Sequence, residues 1–440
     1  MTEGSIIKII LSFSIPLILG AMLQQMYHMV DIVIAGNFIG EYAITAIGCT
    51  TSASVVIVNA LNGLTTGISI YAANLYGVNN RRELQAVSGS FCLSVGAIGI
   101  AIAAAGFLSC RFLLGILNTP DDVFAYSVSY LRIIFWGIPF QAMYSLLSAM
   151  LRGIGDSQSS LSAIIVAFIS NIIFDLVLIK GAALGVTGAA LATIAAQLLS
   201  CLYLVWIIQK RHPVLHFSLR EGADRNVLAK GFRLGMPAAL QRCVMSSGSL
   251  IAQKALNSFG SLAVAGLTTA YKIDELAMLP VINIGAALTT FIAQNRSAGK
   301  EARMRKGFFT GIILALSVSV GIVSLMMCCF QQMIGLFGVS KEVSDYAYSF
   351  LRTCALFYPL FALENAMMGL LQGCGCIKTT VYGNAAGLIV RVLFLYLFYQ
   401  TLGFRTIAYS EIICWIVASL IFFVCILGFG LLKQEKKEGK

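Results

Sequence analysis

The stretch VFAYSVSYLRIIFWGIPFQAMYSLLSAMLRGIG, residues 123–155, recurs in altered form 220 residues further along the chain. Its counterpart is VSDYAYSFLRTCALFYPLFALENAMMGLLQGCG, residues 343–375, and the two align without a gap. Leu-Arg, Pro and Gly-x-Gly occupy the same places in both copies. Shared apolar composition does not explain matches at Arg, Pro and Gly. The sequence therefore predicts an internal structural repeat.

The chain around this repeat has the composition of a polytopic membrane protein. Of its 440 residues, 58% are hydrophobic and only 11% are charged, and the mean hydropathy is +0.87. Apolar runs of about 20 residues or more, long enough to cross a hydrocarbon core of ~30 Å as helices, recur from end to end. Barrel strands are excluded because they are shorter and alternate in polarity. The twelve predicted spans are 6–36, 45–75, 87–113, 124–149, 160–180, 184–208, 230–257, 262–293, 307–331, 345–370, 379–402 and 406–432.

The repeat divides the twelve predicted spans into two sets of six. We therefore predict an all-α polytopic membrane protein with twelve transmembrane helices in two six-helix lobes. Because six is an even number, both lobes cross the membrane in the same sense, and a pseudo-two-fold axis along the membrane normal is expected. The predicted division is an N-lobe over residues 1–208, a cytoplasmic linker over 209–229 and a C-lobe over 230–440.

The formal net charge of +11 does not indicate a nucleic-acid-binding protein. Most of the basic residues lie in connections on one side of the predicted membrane, which is the positive-inside pattern. Both termini are therefore expected in the cytoplasm, and the chain is expected in the cell (cytoplasmic) membrane. The expected partners are the lipid bilayer and a small molecule, with no nucleic acid, and the protein is expected to be monomeric.

Polar side chains inside the spans indicate the candidate functional site, because charge within a membrane is costly. Four such residues, on three spans of the N-lobe, lie at similar distances from the outer ends of their spans, ~7–14 Å at 1.5 Å per residue. They are Asp31, Asn171, Asp175 and Thr193. Hydrogen bonding between packed helices is the structural alternative for single Ser or Thr residues.

Two carboxylates at one depth predict a reversible cation site. Poor hydration and mutual repulsion favour retention of a proton by one of the two groups. Alternatively, a monovalent cation lies between the carboxylates, and the Asn and Thr oxygens complete its shell. The repeat positions of Asn171 and Asp175 are Arg391 and Leu395, so the acidic site is not duplicated in the C-lobe.

Further polar residues are predicted to have supporting roles. Tuning of the site is expected of Gln24, His28 and Gln197, which share helix faces with its members. For His28, a hydrogen bond between packed helices is an equal alternative. The predicted substrate cavity is lined by Asn59, Asn62, Thr66, Arg242, Ser246, Lys272 and Glu275. The last two are also spaced for an ion pair within one helix, and Glu364 receives no assigned role.

The residue pattern gives no indication of an enzyme or of a bound cofactor. No His/Glu metal motif and no nucleophile–base pattern occurs. The Cys374-Gly-Cys376 pair has no accompanying His or second Cys pair, so a metal site is not expected there. The only ion expected is H+ or Na+.

The chain resembles the multidrug and toxic compound extrusion (MATE) family along essentially its whole length. The resemblance is carried by QQMYHMVDIVIAG (24–36), YLRIIFWGIPFQAMYSLLSAMLRGIGDSQ (130–158), NIIFDLVLI (171–179) and GVTGAALATIAAQ (185–197). It implies antiport by alternating access, in which a cationic or amphiphilic compound leaves the cell while H+ or Na+ enters. The implied substrates are small organic cations or amphiphiles, including drugs and toxic compounds.

The DinF-like branch of that family is favoured. Its N-lobe cation cluster matches the four residues named above. The chain departs from the family at His28, where Asn is common, and it lacks the acidic residue that the NorM-like branch has in span 7. The alternative function is a lipid-linked oligosaccharide flippase or related exporter of the same superfamily, which would have a strongly cationic cavity.

Overall fold

The computed structural model describes residues 1–116, 119, 121–216, 223–257, 261–335 and 340–431. Regular structure within these residues is helical. The α-helices are α1 (Ile6–Phe38), α2 (Glu41–Gly77), α3 (Arg81–Ile116), α4 (Asp121–Ile154), α5 (Ser157–Asp175), α6 (Gly185–Arg211), α7 (Arg225–Asn257), α8 (Ser261–Ser297), α9 (Glu301–Gly335), α10 (Lys341–Ala355), α11 (Tyr358–Gly373), α12 (Ile377–Leu402) and α13 (Arg405–Gly428). A π-helix, Leu176–Gly181, continues α5, and a 3-10 turn, Pro213–Leu215, follows α6.

These helices confirm the predicted spans. Nine of the described spans are long and apolar enough to cross a membrane individually, and α10 with α11 forms a further, bent crossing. Helices α2 and α7, of 37 and 33 residues, occupy the two remaining predicted positions. Several helices extend a turn or more beyond the predicted apolar runs, because backbone hydrogen bonding does not stop where the side chains become polar.

The tenth predicted span, 345–370, is broken rather than continuous. Helices α10 and α11 meet at an angle of 54°. Pro359 lies in the first turn of α11, where its missing N–H group is tolerated. Its repeat partner Pro139 lies inside the continuous helix α4. The same residue at the same repeat position therefore accompanies a break in one half of the chain only.

The helix starts confirm the internal repeat. Five helices of the first half begin 220 residues before a helix of the second half. The paired starts are Glu41 and Ser261, Arg81 and Glu301, Asp121 and Lys341, Ser157 and Ile377, and Gly185 and Arg405.

The chain forms two compact units, which we call the N-unit (residues 15–239) and the C-unit (residues 1–14 and 240–440). The predicted lobes differ from these units because α1 and α7 each contribute to both. Within α1 the boundary between the units falls beside Pro16, and within α7 it falls two residues after Pro237. In the C-unit, Lys300 donates to the Thr2 carbonyl at 3.1 Å. The sequence pattern gave no sign of this contact.

Helix α4 forms the centre of the N-unit and packs against α2, α3 and α6. Its buried residues Leu131, Phe135 and Leu146 belong to the main apolar core of this unit. Gly106 of α3 lies against the Phe135 ring, and a Cβ atom there would come within 2.2 Å of a ring carbon. This glycine therefore allows the close approach of α3 and α4.

Candidate cation site and adjoining cavity

Asp175 lies where α5 changes into a π-helix. The Ala182 amide donates to the Val177 carbonyl, five residues back, at 2.8 Å. Short π-helical segments within α-helices occur frequently at functional sites. The start of α5 is fixed by Asp156, whose carboxylate accepts from the Ser159 amide at 2.9 Å. The change of helix type beside Asp175 was not predicted from the sequence.

The four residues of the predicted site are all buried within the N-unit. Asn171 and Asp175 have 0% exposure, Asp31 has 5% and Thr193 has 8%. The carboxyl groups of Asp31 and Asp175 lie within hydrogen-bonding range of each other. Thr193 donates its hydroxyl to the Ala189 carbonyl at 3.1 Å. The structure therefore joins the two carboxylates, while the predicted cation-coupling role of all four residues stays a prediction.

The carboxylate pair forms no ion pair with the described residues, and most of its oxygen atoms lack a hydrogen bond to them. Within the described residues, both carboxylate oxygens of Asp175, one of Asp31 and both amide atoms of Asn171 are buried without a hydrogen bond. None of the ion pairs formed by the described residues includes either carboxylate. Two ionised carboxylates are acceptors only, so no hydrogen bond joins them until one carries a proton. A proton or a monovalent cation would remove both the repulsion and the missing bond.

Two tyrosines complete the surroundings of the site and were missed in the sequence. The hydroxyl groups of Tyr27 and Tyr130 lie beside Thr193, and both rings are close to the carboxylate pair. Tyr27 precedes Asp31 by one helical turn, so its shared face was available as a signal. Tyr130 is brought in by the packing of α4, and no local pattern indicates it.

A cavity of about 150 Å³ adjoins the site within the N-unit. Tyr27 is common to both, since it lines the cavity and also lies beside Thr193. The polar part of the lining includes three glutamine amides and a histidine: Gln24, His28, Gln141 and Gln197. No Asp, Glu, Lys or Arg is among the described residues that line it. Its volume holds part of a drug-sized molecule rather than all of one.

The predicted tuning residues all lie on this cavity. Gln24 and His28 reach it from α1 and Gln197 reaches it from α6. The His28 ring stacks edge-on against Tyr27 with centroids 5.4 Å apart. These three residues therefore lie beside the space next to the site.

The predicted substrate-cavity residues of α2 do not line the 150 Å³ cavity, and their role stays a prediction. The Asn62 side-chain oxygen accepts from Ser145 of α4 at 3.3 Å, and Thr66 donates to the Asn62 carbonyl at 2.7 Å. Asn62, Thr66 and the half-buried Asn59 do not line the 150 Å³ cavity, to which α2 contributes Ser54 and Val58.

The remaining predicted cavity residues belong to the C-unit. Arg242, Lys272 and Glu275 are exposed, and the Ser246 side chain lies outside the described residues. The suggested ion pair between Lys272 and Glu275 is wrong, because no such pair occurs among the described residues. The neighbouring Asp274 is the residue that turns inward, and it accepts a hydrogen bond from the Tyr358 hydroxyl.

The fold is that of a polytopic helical membrane protein with a repeated set of six spans, and its N-unit holds a buried acidic pair. The comparison with known families agrees with this class. The MatE family matches residues 16–177 and again residues 237–397, once in each repeat. The chain belongs to the MatE family, a family of membrane transporters.

Curated relatives and solved structures cover nearly the whole chain. The probable multidrug resistance protein YpnP of Bacillus subtilis (strain 168) is 26% identical over 91% of this chain and 90% of its own. The multidrug export protein MepA of Staphylococcus aureus (strain MSSA476) is 24% identical over 96% of this chain and 94% of its own. An outward-facing multidrug resistance MATE family transporter of the MOP superfamily aligns with a TM-score of 0.90 at 22% identity, over 98% of both chains.

Proposed function

We propose that the protein exports drugs and other cationic or amphiphilic compounds in exchange for H+ or Na+. The observation that carries the proposal is the buried contact between Asp31 and Asp175, which no basic residue neutralises within the described part of the chain. Family membership and the names of the relatives support export. The preference for cationic substrates, the DinF-like assignment and the restriction of the ion to H+ or Na+ rest on the sequence resemblance.

Helix α1 provides a physical route for coupling. It supplies Asp31 to the site and Gln24, Tyr27 and His28 to the adjoining cavity. When both carboxylates are ionised, their electrostatic repulsion favours separation of α1 from α5. A bound proton or Na+ removes this repulsion and favours closer packing of the two helices. The same movement changes the cavity walls, so ion and substrate occupancy are coupled through one helix. Alternation between outward- and inward-open states would follow from this coupling.

The proposed setting is the cytoplasmic membrane, with both termini in the cytoplasm and the protein active as a monomer. The positive-inside distribution supports this orientation. In this proposed orientation the Asp31–Asp175 pair would lie in the outer half of the membrane, where a cation enters from outside.

A drug-efflux assay in proteoliposomes tests the proposal. A fluorescent organic cation is followed while a proton gradient or a Na+ gradient is imposed separately, which also identifies the ion. Asp31→Asn and Asp175→Asn are each expected to reduce gradient-driven transport to background while the protein stays folded and inserted. Glu342→Gln, an exposed acid of the C-unit, is the matched control and keeps full activity. Normal export by both aspartate variants would overturn the coupling model.

The flippase alternative requires a strongly cationic cavity. No Lys or Arg lines the described N-unit cavity. Drug export is therefore the function that this cavity supports better.

A further inference from the structure

We propose that the outer surface of α3 and α4 binds the headgroup of an anionic phospholipid between Arg111 and Arg132. The inference depends on the proposed membrane orientation only for the name of the leaflet, which is the outer one. It is independent of the substrate and of the coupling ion.

The first observation is a guanidinium group held on an aromatic surface. The Arg132 guanidinium carbon lies 5.1 Å from the centroid of the Phe107 ring. Phe107 in turn contacts Trp136, with ring centroids 6.1 Å apart. The Nε atom of Arg132 is buried without a hydrogen bond, and no ion pair of the described residues includes Arg132 or Arg111. A positive charge is therefore held in place without an anion from the described residues.

The second observation is the direction of this face. Tyr130, Ile134 and Ile138 point toward the acidic site and its cavity. At 100° per residue, Arg132 and Trp136 lie on roughly the opposite side of α4. Trp136 is 60% exposed there. Because the interior of the N-unit lies on the other side, this face of α4 contacts lipid.

The apolar surface around Arg132 continues onto α3. Leu108 and Phe112 are 83% and 70% exposed. Arg111, also exposed, follows Phe107 by four residues and shares its helix face, ~6 Å nearer the end of α3. Two guanidinium groups that form no ion pair with the described residues thus lie on adjacent helices, one at the aromatic pair and one a turn closer to the membrane surface.

This arrangement fits a phosphate that carries a net negative charge. Guanidinium groups bind phosphate oxygens through paired N–H donors, and aromatic rings favour the interfacial depth. The two arginines are expected to bind phosphatidylglycerol more tightly than phosphatidylethanolamine. The ammonium group of phosphatidylethanolamine neutralises the negative charge of its phosphate, whereas phosphatidylglycerol keeps a net negative charge. A basic residue near the membrane surface strengthens binding of an anionic lipid by about fivefold.

The C-unit supplies a control within the same chain. The residue 220 positions after Arg132 is Arg352, which is exposed on the matching face of α10. The residues that correspond to Phe107, Arg111 and Trp136 are Met327, Gln331 and Leu356. The C-unit therefore keeps one lipid-facing arginine without the second cation or the aromatic pair.

Lipid titration with native mass spectrometry tests the proposal on the full chain in detergent. Phosphatidylglycerol and phosphatidylethanolamine are added at equal concentrations. Wild type is expected to retain phosphatidylglycerol preferentially, and Arg111→Gln with Arg132→Gln is expected to weaken that binding by roughly 25-fold if the two effects add. Arg352→Gln is expected to change it by less than about twofold. An equal loss in Arg352→Gln, or no lipid preference in wild type, would overturn the proposal.

Tryptophan quenching gives a second test that needs no arginine variant. In a Trp206→Phe background, the exposed tryptophan is Trp136, since Trp415 is buried. Brominated phosphatidylglycerol is expected to quench its fluorescence more strongly than brominated phosphatidylethanolamine at equal mole fraction. Equal quenching by the two lipids would contradict a selective site. Neither test measures transport, so its result is separate from that of the export proposal.

Discussion

The two repeats place different electrostatic arrangements at corresponding positions. In the N-unit, Asp175 lies beside the Asp31 carboxylate, one helical turn after Asn171, and no basic side chain of the described residues pairs with either carboxylate. In the C-unit, the corresponding residues are Arg391 and Leu395, and Arg391 pairs with Glu411 of α13. The Arg391 charge is balanced by Glu411 within the C-unit, whereas the acidic pair of the N-unit has no counter-charge among the described residues. The repeat has therefore preserved the helix scaffold without preserving the site.

The C-unit cluster is also better supplied with hydrogen bonds. The Tyr271 hydroxyl donates to Glu411 at 3.3 Å, and Asp274 accepts from Tyr358. Within the described residues, Glu364 is the buried C-unit carboxylate that keeps an unpartnered oxygen. A paired cluster of this kind is suited to holding helices together, and an unpaired one is suited to binding and releasing an ion.

The largest expected effect comes from giving the N-unit the residue of the C-unit. Asp175→Leu removes one carboxylate and introduces the side chain that occurs at position 395. We expect gradient-driven efflux to fall by about 100-fold or more, because one carboxylate no longer forms the pair. The reciprocal change Leu395→Asp tests whether a carboxylate at the corresponding C-unit position can support transport. It is not expected to restore transport in the Asp175→Leu/Leu395→Asp double variant. Efflux near the wild-type rate in Asp175→Leu would show that the difference between positions 175 and 395 does not matter for transport.

The next effect is on stability and belongs to the C-unit. Glu411→Leu leaves the buried Arg391 guanidinium without its partner and is expected to lower the free energy of unfolding by about 3–5 kcal/mol. Replacing both residues by Leu is expected to recover most of that loss, since no charge remains buried. Thermal unfolding in detergent measures both changes. Equal stability of Glu411→Leu and wild type would show that the pair does not hold this cluster together.

The parts of the molecule that the sequence predicted are those with a periodic or compositional signal. Hydropathy located the spans, and counting residues from the span ends predicted that Asp31, Asp175 and Thr193 lie at a similar depth in the membrane. Tyr130 and the π-helix after Asp175 depend on how α4 and α6 pack against α5, which no local pattern reports. The inward turn of Asp274, in place of a Lys272–Glu275 pair, was missed for the same reason. Spacing along one helix gives possible partners, and tertiary contacts decide among them.

A smaller effect is expected at Tyr27, which links the acidic site to the cavity. Tyr27→Phe keeps the ring against His28 and removes the hydroxyl beside Thr193. The Tyr27 hydroxyl is buried without a hydrogen bond among the described residues, so it is available to a cation or a protonated carboxyl at the acidic site. One such hydrogen bond is worth about 0.5–1.5 kcal/mol, so we expect the transport rate to fall about fivefold. The matched control is Tyr271→Phe, which removes a buried hydroxyl from the paired cluster and should leave coupling intact. A larger loss of transport in Tyr271→Phe than in Tyr27→Phe would contradict the prediction, because the hydroxyl that matters for coupling would then belong to the C-unit.

The smallest effect concerns the first residues of α5 and α12, the helices that carry the compared positions 175 and 395. Burial opposes ionisation of Asp156, but hydrogen bonds from His212 and Ser159 outweigh it and lower the pKa of this carboxyl to about 2. The corresponding residue in the C-unit is Cys376, whose side chain does not cap α12.

Asp156→Asn is therefore expected to lower the free energy of unfolding by about 1 kcal/mol, after allowance for partial exposure, and Cys376→Asp to raise it by a similar or smaller amount. A carboxyl with a lowered pKa contributes stability above its unfolded pKa, and that stability disappears as the pH falls through the folded value. The difference between wild type and Asp156→Asn should thus persist from pH 8 to about pH 4 and vanish toward pH 2. Unfolding measured across this range checks the sign, and a difference that grows toward pH 2 would contradict it.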